Sequence, residues 1–274
     1  MQGEVKEILS QEKQLLVGVR KIPYDYLILA LGSQTDYFGV EGAREFALVL
    51  KTLPDALRIR NQIEFAVEAH KFDVLKKTLR LVVAGGGYTG VELASELKGL
   101  MDFLAWKYQY PREKIEIEIV EAAPKVIPGF DERLSRDAYE RLQELGIRVR
   151  LSARVSKVDA HFVELTGGEK VAYDVLIWTT GVRANDLACG IKLALDFKNR
   201  LCVNEFLQVQ HVKPAESGTA EPQLNMLKNY HEIFALGDMA AVLDQHGKPA
   251  PATAQDAWDQ ADSRTLMPSS CKRS

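Results

Sequence analysis

The chain has 274 residues, 46% of them hydrophobic and 27% charged, and a net charge of -3. That length accommodates two domains, and the near-neutral balance gives no sign of a nucleic-acid partner. No apolar run approaches the ~20 residues of a membrane span, and the opening residues lack the apolar segment of a signal peptide. The cysteines are Cys189, Cys202 and Cys271, with no C-x-x-C spacing, which argues against a disulfide scaffold, a metal site and a local redox pair.

Residues 4–9 and 14–19 predict two short antiparallel strands. Leu27 to Leu31 form a continuous apolar run, the pattern of a buried parallel strand, and Gly32 stops it. Residues 52–70 carry helical spacing through Leu53, Ala56, Leu57, Ile63, Ala66 and Val67, with Pro54 suited to the first turn.

Residues 79–97 read as a buried strand, a glycine turn and the first turns of a helix. Gly85, Gly87 and Gly90 fit G-x-G-x-x-G, with Tyr88 inside the turn. The first glycine permits a tight turn, the second lets the backbone approach a pyrophosphate, and the third lets helix and strand pack closely. Three such glycines also occur in ordinary βα turns. The apolar run Leu81 to Ala84 before them, and Val91, Leu93, Ala94 and Leu97 after them, set this turn apart.

Residues 115–121 alternate and end on Glu121. A carboxylate at the tip of the second strand can accept hydrogen bonds from both ribose hydroxyls of NAD, and it repels the 2′-phosphate of NADP. The nearest following cation is Lys125. The separation exceeds the usual ~20 residues, and residues 105–114 account for the excess as a helix extension and loop. A solvent-facing strand end could carry the same glutamate. The expectation is NADH over NADPH. Tyr110 and Lys114 match the Y-x-x-x-K of short-chain dehydrogenases, but Pro111 breaks the helix that would space that pair.

A second amphipathic helix is predicted over 131–145, stopped by Gly146. Residues 147–151 alternate as a strand. Residues 161–165 and 170–173 read as a hairpin around Gly167 and Gly168, and 175–181 as another buried strand ending on Gly181. Residues 210–230 read as a long surface loop and 253–261 as a helix. Residues 263–274 have no period and read as disordered or foreign to the domain.

Three strand-end motifs stand in order around the central glycine turn: Ala30-Leu-Gly32, Thr179-Thr-Gly181 and Leu236-Gly-Asp238. Together they resemble flavoprotein reductases with two dinucleotide-binding domains, in which an NAD domain interrupts a FAD domain. That resemblance implies an α/β fold of two interleaved Rossmann-like domains with the FAD domain incomplete. The expected parts are 1–44 and 191–262 for FAD, 45–190 for NAD, and a tail over 263–274. Asp238 has a physical rationale of its own: a carboxylate at a strand end accepts hydrogen bonds from ribityl hydroxyls, and helix-start amides beside it meet phosphate.

Finer stretches narrow the likeness: YDYLILALGS at 24–33, FGVEG at 38–42, LKTLPDALRIRN at 50–61, WTTGVRAN at 178–185 and ATAQ at 252–255. As a set, over residues 4–261, they resemble type II NADH dehydrogenases, which are non-electrogenic NADH:quinone oxidoreductases. The likeness implies FAD and NADH as cofactors and a quinone as substrate, reduced near Ala254 and Gln255. It places Glu92 close to nicotinamide and flavin, and Gly32, Gly181, Gly237 and Asp238 around the cofactors. Read alone, Glu92 is equally a carboxylate in the first helical turn complementing the dipole, and Gln255 a polar residue at a helix start.

The resemblance further implies a full-length enzyme peripheral on the cytoplasmic side of a membrane, and it allows a homodimer. This chain alone reads as soluble. The family's first FAD unit and its C-terminal amphipathic helices have no counterpart in these residues. The expectation is a fragment that holds FAD poorly and whose own catalysis is in question. Other reductases of the superfamily remain alternatives. A ferredoxin reductase would lack the Ala-Gln segment, a sulfide:quinone reductase needs cysteines facing the flavin, and disulfide-reductase cysteines could precede residue 1. A module that only binds nucleotide is the alternative outside enzymes.

Overall fold

The computed structural model describes residues 2–72, 78–185, 194–196, 200–211, 228–243 and 254–262. In chain order the first strands are β1 (Val5–Leu9), β2 (Gln14–Val17), β3 (Arg20–Pro23), β4 (Leu27–Leu29) and β5 (Ser33–Thr35). Then come α1 (Ala43–Phe46), β6 (Leu48–Val49), α2 (Leu53–Phe72), β7 (Leu79–Ala84), α3 (Tyr88–Tyr108) and β8 (Ile115–Val120). After α4 (Glu132–Glu144) follow β9 (Arg148–Arg150), β10 (Val155–Val158), β11 (Phe162–Leu165), β12 (Lys170–Ala172) and β13 (Val175–Trp178). The remaining elements are β14 (Val182–Ala184), β15 (Leu201–Cys202), β16 (Gln208–His211), β17 (Lys228–Ala235), β18 (Ala240–Ala241) and α5 (Ala254–Asp262). The chain divides into two compact units, residues 35–181 and residues 1–34 with 182–274.

Unit 35–181 is built on a five-stranded sheet of order β6-β13-β7-β8-β9 in which every pair is parallel. β7 is central and lacks any polar residue but Arg80, because both faces of such a strand are covered. Alternate residues serve opposite faces. Leu79, Leu81 and Val83 pack with Ile59, Ile63 and Val67 of α2 and with Ala94, Leu97 and Met101 of α3. Val82 and Ala84 pack on the other face with Val155, Val163, Leu165 and Val171. Those last residues belong to the antiparallel sheet β10-β11-β12, whose hairpin turns at Gly167 and Gly168, as its sequence predicts.

Helix α2 opens with a reciprocal cap. The Asp55 carboxylate accepts the Thr52 N–H at 2.9 Å, and the Thr52 hydroxyl oxygen in turn accepts the Asp55 N–H at 3.4 Å. This occupies orphan groups of the first turn. In α4 the Asp131 carboxylate accepts the Leu134 N–H at 2.9 Å. The alternation of β8 suggests a half-exposed strand, yet β8 lies inside the sheet with Glu118 buried. Arginines on the edge strand β9 resolve the conflict: Arg150 donates to Glu118 at 2.9 Å and Arg148 lies 3.6 Å from it. A buried carboxylate is tolerated when so paired.

In unit 1–34 with 182–274, β1, β2 and β3 form an antiparallel sheet, one strand more than predicted. β4 pairs in parallel with β17, Ile28 opposite Phe234 and Leu29 opposite Ala235. Segments far apart in sequence therefore share one sheet, as an interrupted domain requires. The apolar run 27–31 is not buried throughout: Leu29 is 3% exposed, but Ile28 is 60% exposed. Successive side chains of a strand point to opposite faces, so Leu29 joins the core while Ile28 lies on the face left uncovered among the described residues. The loop predicted over 210–230 is shorter at both ends, since 210–211 belong to β16 and 228–230 to β17; residues 212–227 between them, the predicted tail 263–274, Cys189 and Cys271 lie outside the described residues. Among the described residues no helix is long and apolar enough to cross a membrane.

Candidate nucleotide-binding site

The glycine turn follows β7 directly. Gly85 has φ +112°, and a Cβ there would come within 2.8 Å of Thr180 and 2.9 Å of Thr179. A Cβ on Gly90 would sit 1.9 Å from the Gly85 carbonyl oxygen. Both positions thus exclude any side chain, the first by conformation as well as space. Gly87 differs: a Cβ there would meet nothing within 4 Å, so that face of the turn is open. The Gly85 N–H donates to Val120 O at 2.8 Å, and the Thr179 hydroxyl contacts the carbonyls of Ala84 and Gly85 at 3.0 Å each. Thr179 braces the turn from β13. It stands in the motif read only for its glycine, so its role was hidden in plain letters.

Helix α3 begins at Tyr88, with Gly87 as N-cap and neither a side-chain cap nor an acidic residue in its first turn. Its leading amides are left for another acceptor, which suits an anion. Glu92 lies beyond that first turn and is exposed. The helix starts earlier than the motif suggests, so the dipole account of Glu92 as a first-turn residue is corrected. Tyr88 is also exposed, its ring 6.1 Å from that of Phe130.

Glu121 follows β8 and is held from two sides. One carboxylate oxygen accepts the Gly86 N–H at 2.5 Å and the other the Ala123 N–H at 2.7 Å. The acid is therefore oriented by the glycine turn. Gly85, Gly87, Glu121, Arg154, Thr180 and Gly181 line a cavity of about 590 Å³ that lies wholly within this unit. Gly181 has φ +63°, and Phe38 rings the space where its Cβ would be, 2.3 Å away. The cavity opens at the carboxyl ends of β7, β8 and β13, where open parallel sheets bind ligands.

The other unit carries a second group. Gly32 and Gly237 both have left-handed φ, +65° and +71°. The Ser33 hydroxyl donates to the Asp238 carboxylate at 2.7 Å, and the Gly237 N–H donates to the Gln260 side chain at 2.8 Å. Ser33 closes the stretch 24–33 quoted for its family likeness but was given no role there, and Gln260 was not singled out from sequence. Ala254 and Gln255 occupy the first turn of α5; their side chains lie outside the described residues. Leu31 donates its N–H to the Met239 sulfur at 3.1 Å, tying the end of β4 to the Gly237–Met239 turn.

Two α/β units, one inserted in the other, each with glycines at the carboxyl ends of parallel strands, define a two-domain dinucleotide-binding protein. The profile of the pyridine nucleotide-disulphide oxidoreductases matches residues 1–261, and the chain belongs to that family. It is 27% identical to a type II NADH:quinone oxidoreductase of Haemophilus influenzae over 94% of this chain and 58% of that protein. An internal alternative NAD(P)H-ubiquinone oxidoreductase of Arabidopsis thaliana mitochondria is 29% identical over 86% of this chain and 44% of its own length. Among solved structures, NDH2 of Plasmodium falciparum in complex with NADH superposes with a TM-score of 0.72 at 26% identity, covering 88% of this chain and 50% of that one. The chain spans about half the length of the curated relatives it matches.

Proposed function

We propose that unit 35–181 binds NADH and that the chain forms part of an NADH:quinone oxidoreductase acting through bound FAD. One observation carries this reading: the Gly85–Gly90 turn and the Glu121 carboxylate face one cleft at the ends of adjacent parallel strands. The space that Cβ atoms at Gly85 and Gly90 cannot enter fits a close-packed phosphate turn. The first amides of α3 would meet the pyrophosphate, and Glu121 would accept hydrogen bonds from the ribose hydroxyls.

When bound, FAD supplies the hydride and electron chemistry; the chain's residues bind and orient. Asp238, steadied by Ser33, fits ribityl hydroxyls, with Gly32 and Gly237 giving the backbone room beside it. At Gly181 the space beside the backbone is taken by the Phe38 ring, and a place for this glycine beside the cofactor rests on the family resemblance. Glu92 on the nicotinamide side, and Ala254 with Gln255 on the quinone side, rest on the family resemblance. So do a peripheral position on the cytoplasmic face of a membrane and a homodimer.

The relatives' names divide between NADH and NAD(P)H, so the nucleotide choice is read from the cleft. Calorimetric titration of the protein with NADH and NADPH tests it. NADH is expected to bind more tightly, and Glu121→Ala to weaken NADH and narrow the preference. Tighter binding of NADPH by the unmodified protein would remove the role given to Glu121.

A further inference from the structure

We infer that Arg154 is a specificity-determining residue of the cleft, placed to take a 2′-phosphate on the adenosine ribose, so that the choice between NADH and NADPH is a balance between Glu121 and Arg154. The inference rests on reading the cleft as a nucleotide site. Among the described lining residues Glu121 is the one acid and Arg154 the one base. Their neighbourhood follows from backbone pairing. The Ala153 N–H donates to Glu121 O at 2.8 Å, and the Ser152 N–H donates to Ala123 O at 2.9 Å. Residues 152–154 thus run beside the loop that carries Glu121, at the ribose end of the cleft rather than at the glycine turn.

The base of the Arg154 side chain is fixed. Its carbonyl accepts the Thr166 N–H at 2.7 Å and faces the Thr166 hydroxyl at 3.3 Å. Its guanidinium has no ion pair or hydrogen bond among the described residues, unlike the arginines on the strands of the parallel sheet. Arg80 and Arg148 are paired with Glu116, and Arg150 with Glu118 and Glu169. An exposed guanidinium lining the cleft without a carboxylate partner among the described residues matches the planar oxygens of a phosphate. Glu121, conversely, already accepts two amide hydrogens, which offset part of the charge it turns to the ribose. Its veto on a 2′-phosphate is softened by its own anchoring.

The test is calorimetric titration of the whole 274-residue protein with NADH, NADPH and adenosine 2′,5′-bisphosphate. Arg154→Ala is expected to weaken NADPH and the bisphosphate about tenfold, the loss of one charge-assisted contact, and to leave NADH within about twofold. Arg154→Lys should keep part of the affinity. Glu121→Gln should tighten NADPH, and adding Arg154→Ala should cancel that gain, a coupling that a merely structural role would not produce. Equal weakening of NADH and NADPH by Arg154→Ala, or none for NADPH, overturns the inference. The underlying reading is checked with Gly87→Glu. A Cβ there meets nothing within 4 Å, so the variant should fold while setting a carboxylate against the pyrophosphate. If Gly87→Glu binds NADH normally, the cleft is not the site. If it binds neither nucleotide while Arg154→Ala spares NADPH, only the role of Arg154 fails.

Discussion

Gly90 meets the Gly85 carbonyl so closely that even a methyl group would overlap backbone rather than a movable side chain. Gly90→Ala is therefore expected to lower the melting temperature and, in whatever folded protein remains, to lose NADH binding; scanning calorimetry with and without NADH reports both. At Gly87 the same substitution should cost little stability. A second prediction concerns alkaline pH. Burial first, and the Asp159 charge second, push the Tyr173 phenol up to about 12, and its hydroxyl donates to Asp159 O at 2.5 Å. Its folded pKa lies above the unfolded value of 10.0. The stability it contributes is complete below pH 10.0 and is lost progressively as pH rises towards about 12. Tyr173→Phe should flatten that fall in urea midpoints measured across this window. Residues whose type is dictated by backbone geometry, such as Gly85 and Gly90, were legible in the letters. Thr179, Ser33 and Gln260 were not, because each acts through a partner far away in sequence.

Helices α2, α3 and α4 match their predicted spans to within a few residues, though in α2 the stripe laid on the sheet is Ile59, Ile63 and Val67 while Leu53 and Leu57 are exposed. Their ends depend on caps, and the Asp131 cap is a local device that can be removed cleanly. Asp131→Ala should destabilise the protein by about 1 kcal/mol, seen as a lower urea midpoint with unchanged slope, while NADH affinity stays the same. Strands were read less well. β8 alternates but is buried, because Arg148 and Arg150 answer its glutamates from the next strand, a pairing no single segment reveals. β4 is apolar but half open, because which face of a sheet is covered is a property of the sheet's surroundings and not of the run.

At the scale of the molecule, the order of the strand-end motifs announced an interrupted domain, and the pairing of β4 with β17 follows from it. What could not be read was how much of a cofactor site these segments complete. On the proposed reading Gly32, Gly237 and Asp238 would supply part of a FAD site, and the chain spans about half of its relatives. The 274-residue chain is expected to retain less flavin per protein than a version extended upstream by a strand, glycine turn and helix, as absorbance after desalting would show. Equal, stoichiometric flavin in both would mean that the extension contributes no essential anchor. In the extended protein, Ala254→Trp should raise the KM for a soluble quinone analogue and leave flavin bleaching by NADH nearly unchanged. Equal slowing of both half-reactions would make the start of α5 a general support.

The partner of Ile28 in β4 is Phe234. On the ribosome these strands emerge roughly 200 residues apart, an interval of about 10–40 s at 5–20 residues per second. Unit 35–181 needs no such delay, for its two ends close on each other: the Asp36 N–H donates to Gly181 O at 3.2 Å. The inserted unit can finish while the strand before it still waits, bare-edged, for its mate. For this one strand synthesis order is inverted: β4 is made before the inserted unit but can pair with β17 only after it, so a pause in translation after residue 181 is expected to prolong the exposure of β4.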